Sequence, residues 1–399
     1  MAKIMVIAGG DWQCPIVKTA KKMGHYVICT NLYENSPAFK YADASEVANV
    51  LDRETNLKIA QKYQPDAILT DQSDIAVPTV AYVSEKLGLR GIGIEKAELF
   101  TNKYKMRDFC RQNGYPYPKY KLCYSLEETV DYFQNEIKAK SIIKPVDSQS
   151  SRGVHIISST EDLKENFNDA LFYSNSEKAV LLEQYIDGTE FTIDGLKTKN
   201  GYCVTAISKK KHYEYNPSIA QELFFAHSDD VFDYAALEKL NTSMVLNMGL
   251  PFGLTHAEYK FMDGKFYLIE IAARGGGTRI SSDITKIMSG INTNEVLINE
   301  LLGIDSDIHM NTDENQCAIL GFFDFKPGKI KSIKGLQEAK ALNGVVDIGL
   351  DLKPGDVIEN AKDDRSRCGY YILSAVGENN IRTVEQKMKI TIELEYEEE

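Results

Sequence analysis

Several features that mark common functional classes are missing from this 399-residue chain. Basic residues are outnumbered, 46 lysines and arginines against 58 acidic residues, and no strongly basic block stands out. A net charge of −12 argues against non-specific binding to nucleic acid or to an anionic membrane. No apolar run approaches the roughly 20 residues that a membrane helix needs, and Lys3–Ile7 reads as a short buried strand, not the apolar core of a leader peptide. The seven cysteines are scattered, odd in number and never spaced Cys-x-x-Cys, which fits reduced thiols in a cytoplasmic protein. Gly9-Gly10 lacks the Gly-x-Gly-x-x-Gly pattern, so it reads as a tight strand-to-helix turn and an NAD-dependent enzyme is disfavoured. No Ser-His-Asp or Cys-His nucleophile is evident.

What is present is a long chain with 43% hydrophobic residues, enough for two or three domains with their own cores. Residues 1–98 alternate strand and helix: strands at Lys3–Ala8, His25–Thr30 and Ala67–Thr70, helices at Ile16–Lys22, Asn56–Tyr63 and Val77–Leu87. That order makes βαβ units and a small doubly wound parallel sheet. Residues 99–308 form a second unit, and residues 309–399 a small, mostly β domain. A helix opens at Asn102-Lys103. The strand Ser141–Pro145 carries Lys144 at its end, where a lysine either snorkels to solvent or meets an anion. Asp147–Gly153 is a loop of small polar residues whose amides could cover phosphates. The strand Val180–Ile186 leads to Glu190, and a hairpin (Phe191–Leu196, Tyr202–Ser208) to the cluster Lys209-Lys210-Lys211-His212, in general a solvated turn but here the one local basic site that could meet triphosphate. Helices are expected at Ser125–Phe133, Phe232–Asn247 and Ser289–Leu302, and late strands at Cys317–Phe325, Gly344–Leu350, Gly369–Val376 and Lys389–Leu394.

The chemistry concentrates in His256–Arg279. Two apolar-rich arms flank Asp263-Gly264, a strong hairpin signal. Glu258 and Glu270 sit in opposite arms and face each other directly if the loop spans Asp263–Lys265. Like charges placed so repel, unless a divalent cation such as Mg²⁺ lies between them. Arg274, Gly275, Gly276, Gly277 and Arg279 follow, a loop suited to an anion.

Taken in order, these positions resemble the ATP-grasp superfamily, most closely the branch of biotin carboxylase, carbamoyl-phosphate synthetase, purine-pathway ligases and L-amino acid ligases. The likeness rests on lysine at a helix start, lysine at a strand end, the small-residue loop, Glu183-Gln-Tyr-Ile186, then Glu258 and Glu270-Ile-Ala-Ala-Arg274. Pro37-Ala-Phe-Lys-Tyr-Ala-Asp43, Leu87-Gly-Leu-Arg-Gly91 and Arg367-Cys-Gly-Tyr-Tyr371 extend it to both ends. The resemblance implies an ATP-grasp fold, α/β and α+β, with an N-terminal doubly wound parallel-sheet domain and a small C-terminal β domain. It implies ATP with Mg²⁺ or Mn²⁺ as cofactors. Lys103 and Lys144 would touch phosphates under a mobile loop containing Ser150, Ser151 and Gly153. Glu183, Gln184, Tyr185 and Ile186 would line the adenine slot, and Glu190 would hold the ribose. Lys210 or His212 would approach the γ-phosphate. Glu258 and Glu270 would bind metal, Arg274 the acyl group or its phosphate, and Arg279 with the amides of Gly275–Gly277 the carboxylate substrate. Many members carry Glu-x-Asn; here Ala272 replaces the asparagine and cannot ligate, as in the similar Glu-Ile-Ala-Pro-Arg of the purine-pathway carboxylase. The implied activity is ATP-dependent joining of a carboxylate to an amine through an acyl phosphate, by a cytoplasmic homodimer. The alternatives are a purine-ribonucleotide carboxylase or formyl-transfer ligase, and a non-catalytic ATP-binding subunit.

Overall fold

The computed structural model describes residues 1–148, 151–311 and 313–397. Ser150 of the phosphate-loop assignment therefore lies outside the described residues. The first sheet joins β1 (Lys3–Ile7), β2 (Tyr26–Asn31), β3 (Ala44–Val47) and β4 (Ala67–Leu69) in the order β3-β2-β1-β4, all parallel. Alternate residues of β1 serve opposite faces. Ile4 and Val6 pack with Ile16, Val17 and Ala20 of the helix Cys14–Lys22, whereas Met5 and Ile7 pack with Ile59, Ala60 and Val83 of the helices Arg53–Tyr63 and Val77–Lys86. Both faces are thus covered by helices, as expected of a doubly wound sheet. The short strand β3 was not read from the sequence.

A second, antiparallel sheet contains β5 (Tyr120–Cys123), β6 (Ser141–Pro145), β7 (His155–Ile157) and β8 (Val180–Gln184) in the order β5-β8-β6-β7. The helices Leu126–Tyr132 and Thr160–Phe172 cover it, with Leu163, Phe167 and Ala170 buried against Ile143, Ile157, Val180 and Leu182. Ser125 caps the first of these helices, its side chain accepting from the Glu128 amide.

The rest of the chain supplies β9 (Thr189–Thr198), β10 (Gly201–Tyr213), β11 (Asn216–Phe225), β12 (Gly253–Met262), β13 (Lys265–Ala272), β14 (Gln316–Phe322), β15 (Gly328–Lys334), β16 (Val345–Leu350), β17 (Val357–Ile358), β18 (Gly369–Val376) and β19 (Glu393–Tyr396). Eight of these strands make one antiparallel sheet, ordered β13-β12-β9-β10-β11-β14-β18-β16. Strands from beyond residue 309 therefore continue the sheet that carries the glutamate hairpin. Only β17-β15-β19 forms a smaller sheet of its own.

Three local expectations change. Lys209–His212 is no turn: it lies inside β10, which runs on to Tyr213. The stretch Ser289–Leu302 is broken, because Gly290 adopts a left-handed φ of 77° and Asn292 caps a new helix, Thr293–Leu302. The first three residues of Lys389–Leu394 are instead the end of the helix Glu378–Thr391, whose Ile381, Glu385 and Met388 recur at helical spacing on its buried face; β19 starts only at Glu393.

Gly188, just before β9, illustrates how tightly the sheet is drawn. A Cβ there would lie 1.9 Å from the carbonyl oxygen of Phe261 on β12. Gly188→Ala is expected to lower stability by about 1–3 kcal/mol, read as a shift in urea midpoint. Gly277→Ala, with nothing within 4 Å of the added carbon, should change it by less than about 0.5 kcal/mol.

Candidate active site

The glutamate hairpin has a two-residue turn, Asp263-Gly264, with both φ angles positive (50° and 74°). Met262 pairs with Lys265, a register that alone would offset the two glutamates. An irregularity next to Glu258, where Ile269 has no partner of its own, shifts the ladder by one residue. Glu258 and Glu270 are thereby brought directly opposite each other. The expected pairing is correct, but a bulge produces it and not an odd-length loop.

Period-two alternation then assembles one charged face. β9 contributes Glu190, Thr192 and Asp194; β12 contributes His256, Glu258 and Lys260, paired with Asp194, Thr192 and Glu190 respectively. β10 contributes Lys210 and His212. The Lys210 ammonium lies 2.6 Å from Glu190 and 2.7 Å from Glu258, and the His212 imidazole 3.4 Å from Glu190. The structure thus brings both candidates for the γ-phosphate to the acidic group. Burial alone would raise the pKa of Glu190 and of Glu258, yet the Lys210 charge holds both below the usual carboxylate range.

Behind this face lies a second set of ion pairs. Lys144 and Glu183 are both buried, 2.7 Å apart, and the Arg107 guanidinium lies 2.7 Å from the other Glu183 oxygen. Arg107 also donates to the carbonyl of Ile269, the bulge residue, at 2.6 Å. Burial pulls the Lys144 pKa down to about 8 despite the Glu183 charge. Lys103, at the start of the helix Lys103–Gln112, donates to the Ser148 carbonyl (2.8 Å) and to Glu270 (2.9 Å). Asn102 fixes that helix start by accepting from the Lys105 amide.

Two cavities meet here. A cleft is bordered by Lys103, Lys144, Ser151, Gln184, Tyr185 and Ile186, among others. Ile142, Val154, Ile156, Ile186 and Ile269 give it the apolar walls a flat base requires. The Tyr185 ring sits beneath Lys140 and Lys260, 4.3 and 4.7 Å from its centroid. Gly153 belongs to the loop beside this cleft: its φ is 67°, and a Cβ would meet Tyr173 at 2.9 Å and Pro145 at 3.0 Å. The second, larger cavity is lined by Trp12, Gln72, Asp74, Lys210, His212, His256, Arg274, Gly277, Arg367 and Tyr370, among others. Ser151, Glu190, Ser218, Glu258 and Glu270 border both spaces. The acidic residues therefore stand where one cavity opens to the other.

The glycine loop is more committed than expected. The Gly275 amide donates to the Asp71 carbonyl and the Gly276 amide to the Asp194 carboxylate, at 2.8 and 3.0 Å. Those two N–H groups are spent within the protein; at Gly277 an added Cβ would meet nothing within 4 Å. Arg274 grips Asp74 through two hydrogen bonds of 2.9 and 2.6 Å, tying the loop to the first sheet's domain. Arg279 is held by Asp283, Asp347 and Tyr370. Neither arginine is uncommitted.

Sequence reading missed Arg107, Asp194, His256, Asp74 and Arg367. The first three were accessible: Asp194 and His256 continue the alternation of Glu190 and Glu258, and Arg107 lies four positions after Lys103, one helical turn on. Burial would lower the His256 pKa, but Asp194, 3.0 Å away, holds it up at about 9. Asp74 and Arg367 come from distant segments that no local pattern connects.

Divalent metal fits this arrangement in donor chemistry. Glu258 and Glu270 offer hard oxygens on one sheet face at the cavity junction, which suits Mg²⁺ completed by phosphate oxygens and water. Among the described residues no group of three or more His, Cys, Asp or Glu side chains is gathered to hold an ion alone.

Residues 137–283 match the ATP-grasp domain family, and residues 321–397 match the L-amino acid ligase C-terminal domain 2. Residues 137–283 are thus an ATP-grasp domain. It is similar to the formate-dependent phosphoribosylglycinamide formyltransferase of Trichormus variabilis, 24% identical over 309 residues covering 76% of each protein. It is also similar to the alanine–anticapsin ligase of Bacillus subtilis, 30% identical over 278 residues covering 63% of this chain and 57% of that one. The crystal structure of an L-amino acid ligase from Bacillus licheniformis superposes with a TM-score of 0.83 at 21% identity, covering 100% of this chain and 99% of that one. ATP-grasp enzymes use ATP and Mg²⁺ and are ADP-forming ligases, and this chain is an enzyme of that type. Among the described residues no helix is long and apolar enough to cross a membrane.

The buried pairs yield two expectations. Glu183→Gln leaves Lys144 and Arg107 without their counter-charge and should cost about 3–5 kcal/mol of stability in chemical denaturation. A lysine whose folded pKa is depressed to about 8 loses its charge as pH rises through that value, while bound phosphate would restore the proton. ATP affinity should therefore fall above pH 8, with proton uptake on binding, measured by titration calorimetry in buffers of different ionisation enthalpy.

Proposed function

We propose that this enzyme joins the carboxylate of one amino acid to the amine of another, with release of ADP and phosphate. The observation that carries this reading is the position of Glu190, Glu258 and Glu270 at the junction of an apolar-walled cleft and a larger polar chamber. A nucleotide in the cleft would present its terminal phosphoryl to a carboxylate in the chamber. One substrate oxygen attacks the γ-phosphorus, the β–γ bridging P–O bond breaks, and ADP leaves. The amine nitrogen of the second substrate then attacks the acyl carbon, loses a proton, and expels phosphate with the oxygen it came to share. Lys103 and Lys144 would offset charge on the phosphates, and Lys210 would follow the phosphoryl as it moves. Mg²⁺, held by Glu258 and Glu270, would polarise the phosphoryl group. Ser151 and Gly153 lie on the loop that would shield the acyl phosphate from water.

The choice of amino acids over a ribonucleotide rests on charge. Lys210, His212, His256, Arg274 and Arg367 each already face a carboxylate partner in the chamber wall. A zwitterion adds no net charge to such a wall, whereas a ribose phosphate would bring two negative charges with little surplus cation to meet them. The rival reading, formyl transfer to a phosphoribosyl amine, is favoured by the likeness to the phosphoribosylglycinamide enzymes.

The test is a panel of amino acid pairs with MgATP. ADP and phosphate should appear only when both partners are present, and ¹⁸O from a labelled carboxylate should enter the phosphate. AMP and pyrophosphate, or turnover with formate and a phosphoribosyl amine alone, would overturn the proposal. Glu270→Gln should lower the rate by about 10²- to 10³-fold, the scale of losing one electrostatic stabiliser.

A further inference from the structure

The register of the glutamate hairpin turns on one unpaired residue. From Met262 with Lys265 to Tyr259 with Leu268, β12 and β13 pair without interruption. Continued one step further, that ladder would set Ile269 against Glu258 and Glu270 against Ala257. A shift of one residue turns a side chain to the other face of a sheet. Ala257, Tyr259, Leu268 and Ile271 belong to the apolar core behind the hairpin, so Glu270 would point into that core, away from Glu258. The bulge at Ile269 prevents this, because it consumes one residue and returns Glu270 to the face of Glu258.

A bulge leaves its extra residue without a ladder partner, and a buried carbonyl left unpaired costs stability. The Ile269 carbonyl is answered by Arg107, whose Nη2 donates to it at 2.6 Å. One turn earlier on the same helix, Lys103 donates to Glu270, the next residue along β13. Arg107 is held in turn by Glu183 of β8, 2.7 Å from its Nε, just ahead of the Gln184–Ile186 border of the cleft. It is the largest fully buried side chain among the described residues. For stability alone it is a poor choice. Glu183 already has a counter-charge in Lys144, so two buried cations face one carboxylate, and Nη1 finds no hydrogen-bond partner among the described residues.

We infer that Arg107 is a positioning residue for the metal. It fixes the bulge that brings Glu258 and Glu270 together, and it ties that bulge to the strand bordering the nucleotide cleft. This role rests on the reading that the two glutamates hold Mg²⁺, whatever substrates are joined. A planar guanidinium meets Glu183 and the Ile269 carbonyl at once, whereas a lysine presents a single nitrogen. Positive charge at position 107 is therefore not sufficient.

Mn²⁺, a paramagnetic stand-in for Mg²⁺, would be titrated into the full chain saturated with ADP and followed by electron paramagnetic resonance. Arg107→Lys should weaken Mn²⁺ binding about 10- to 100-fold, the usual cost of losing a group that orients a metal ligand. ADP affinity in EDTA should change by less than about threefold, because the charge is kept. Deleting Ile269 removes the bulge and leaves Glu258 opposite Glu270 in an unbroken ladder. That deletion in the Arg107→Lys background should restore Mn²⁺ affinity to within about threefold of wild type, a rescue that an arginine needed only for stability would not show. A thermal shift with ADP checks that each variant is folded. If Arg107→Lys fails to fold, Arg107→Met, which leaves Lys144 and Glu183 as a neutral pair, takes its place. If the deletion fails to fold, the single substitution decides alone. Mn²⁺ affinity unmoved in a folded Arg107 variant, or a loss that a folded deletion does not reverse, would overturn the positioning role and leave the metal site standing. Wild-type protein that takes up no Mn²⁺ beyond what ADP itself binds would overturn the metal reading, and this role with it.

Discussion

The structure depends on keeping buried negative charge neutral. Glu183, Glu190, Glu258 and Glu270 would repel one another and lose hydration in a low-dielectric cleft. Each is answered by a cation from another element: Glu183 by Lys144 and Arg107, Glu190 and Glu258 by Lys210, Glu270 by Lys103. The helix Lys103–Gln112, the second sheet and the eight-stranded sheet are thus fastened at the point where chemistry is to occur. Lysines rest on the carboxylates that would hold metal, and they are the groups expected to meet phosphate once metal takes their place.

That exchange explains why so many functional side chains are buried and paired at once. An unpaired lysine in this cleft would be driven toward neutrality by burial, and Lys144 shows the tendency even with a partner. Pairing keeps the ammonium charged and already aimed. The arginines of the glycine loop follow the same economy toward a different end. Arg274 on Asp74 and Arg279 on Asp283 and Asp347 stitch that loop to the first and last parts of the chain, so the chamber's walls come from segments more than 200 residues apart.

Much of this was legible in the sequence because it obeys local periodicity. Alternation singled out Glu258 and Glu270 as facing candidates, turn residues located the hairpin, and helix starts were read at Asn102-Lys103 and, from its cap-like residues, at Ser125. Failures arose where a tertiary effect overrode a local one. Lys209–His212 looked like a solvated basic turn, yet alternate residues of β10 point to opposite sides, so Lys209 meets Asp229 while Lys210 reaches Glu190. The bulge at Ile269 could not be read, because its cause lies in the ladder and in the Arg107 side chain that takes its carbonyl. The continuity of β11 with β14 was hidden because strand partners 90 residues apart leave no mark on composition. The commitment of the Gly275 and Gly276 amides was equally hidden: glycine at those positions answers to crowding by Ser281 and Ile280.

The eight-stranded sheet has a consequence for how such an enzyme diversifies. On the proposed function, nucleotide handling would be concentrated on the strands at one margin, and the surface that meets a substrate's body on those further across, some of them contributed after residue 309. Mutations toward the C-terminus can therefore redraw selectivity while the energy-coupling machinery stays intact. Inheritance could reshuffle the two ends independently, and a single framework would supply many different products.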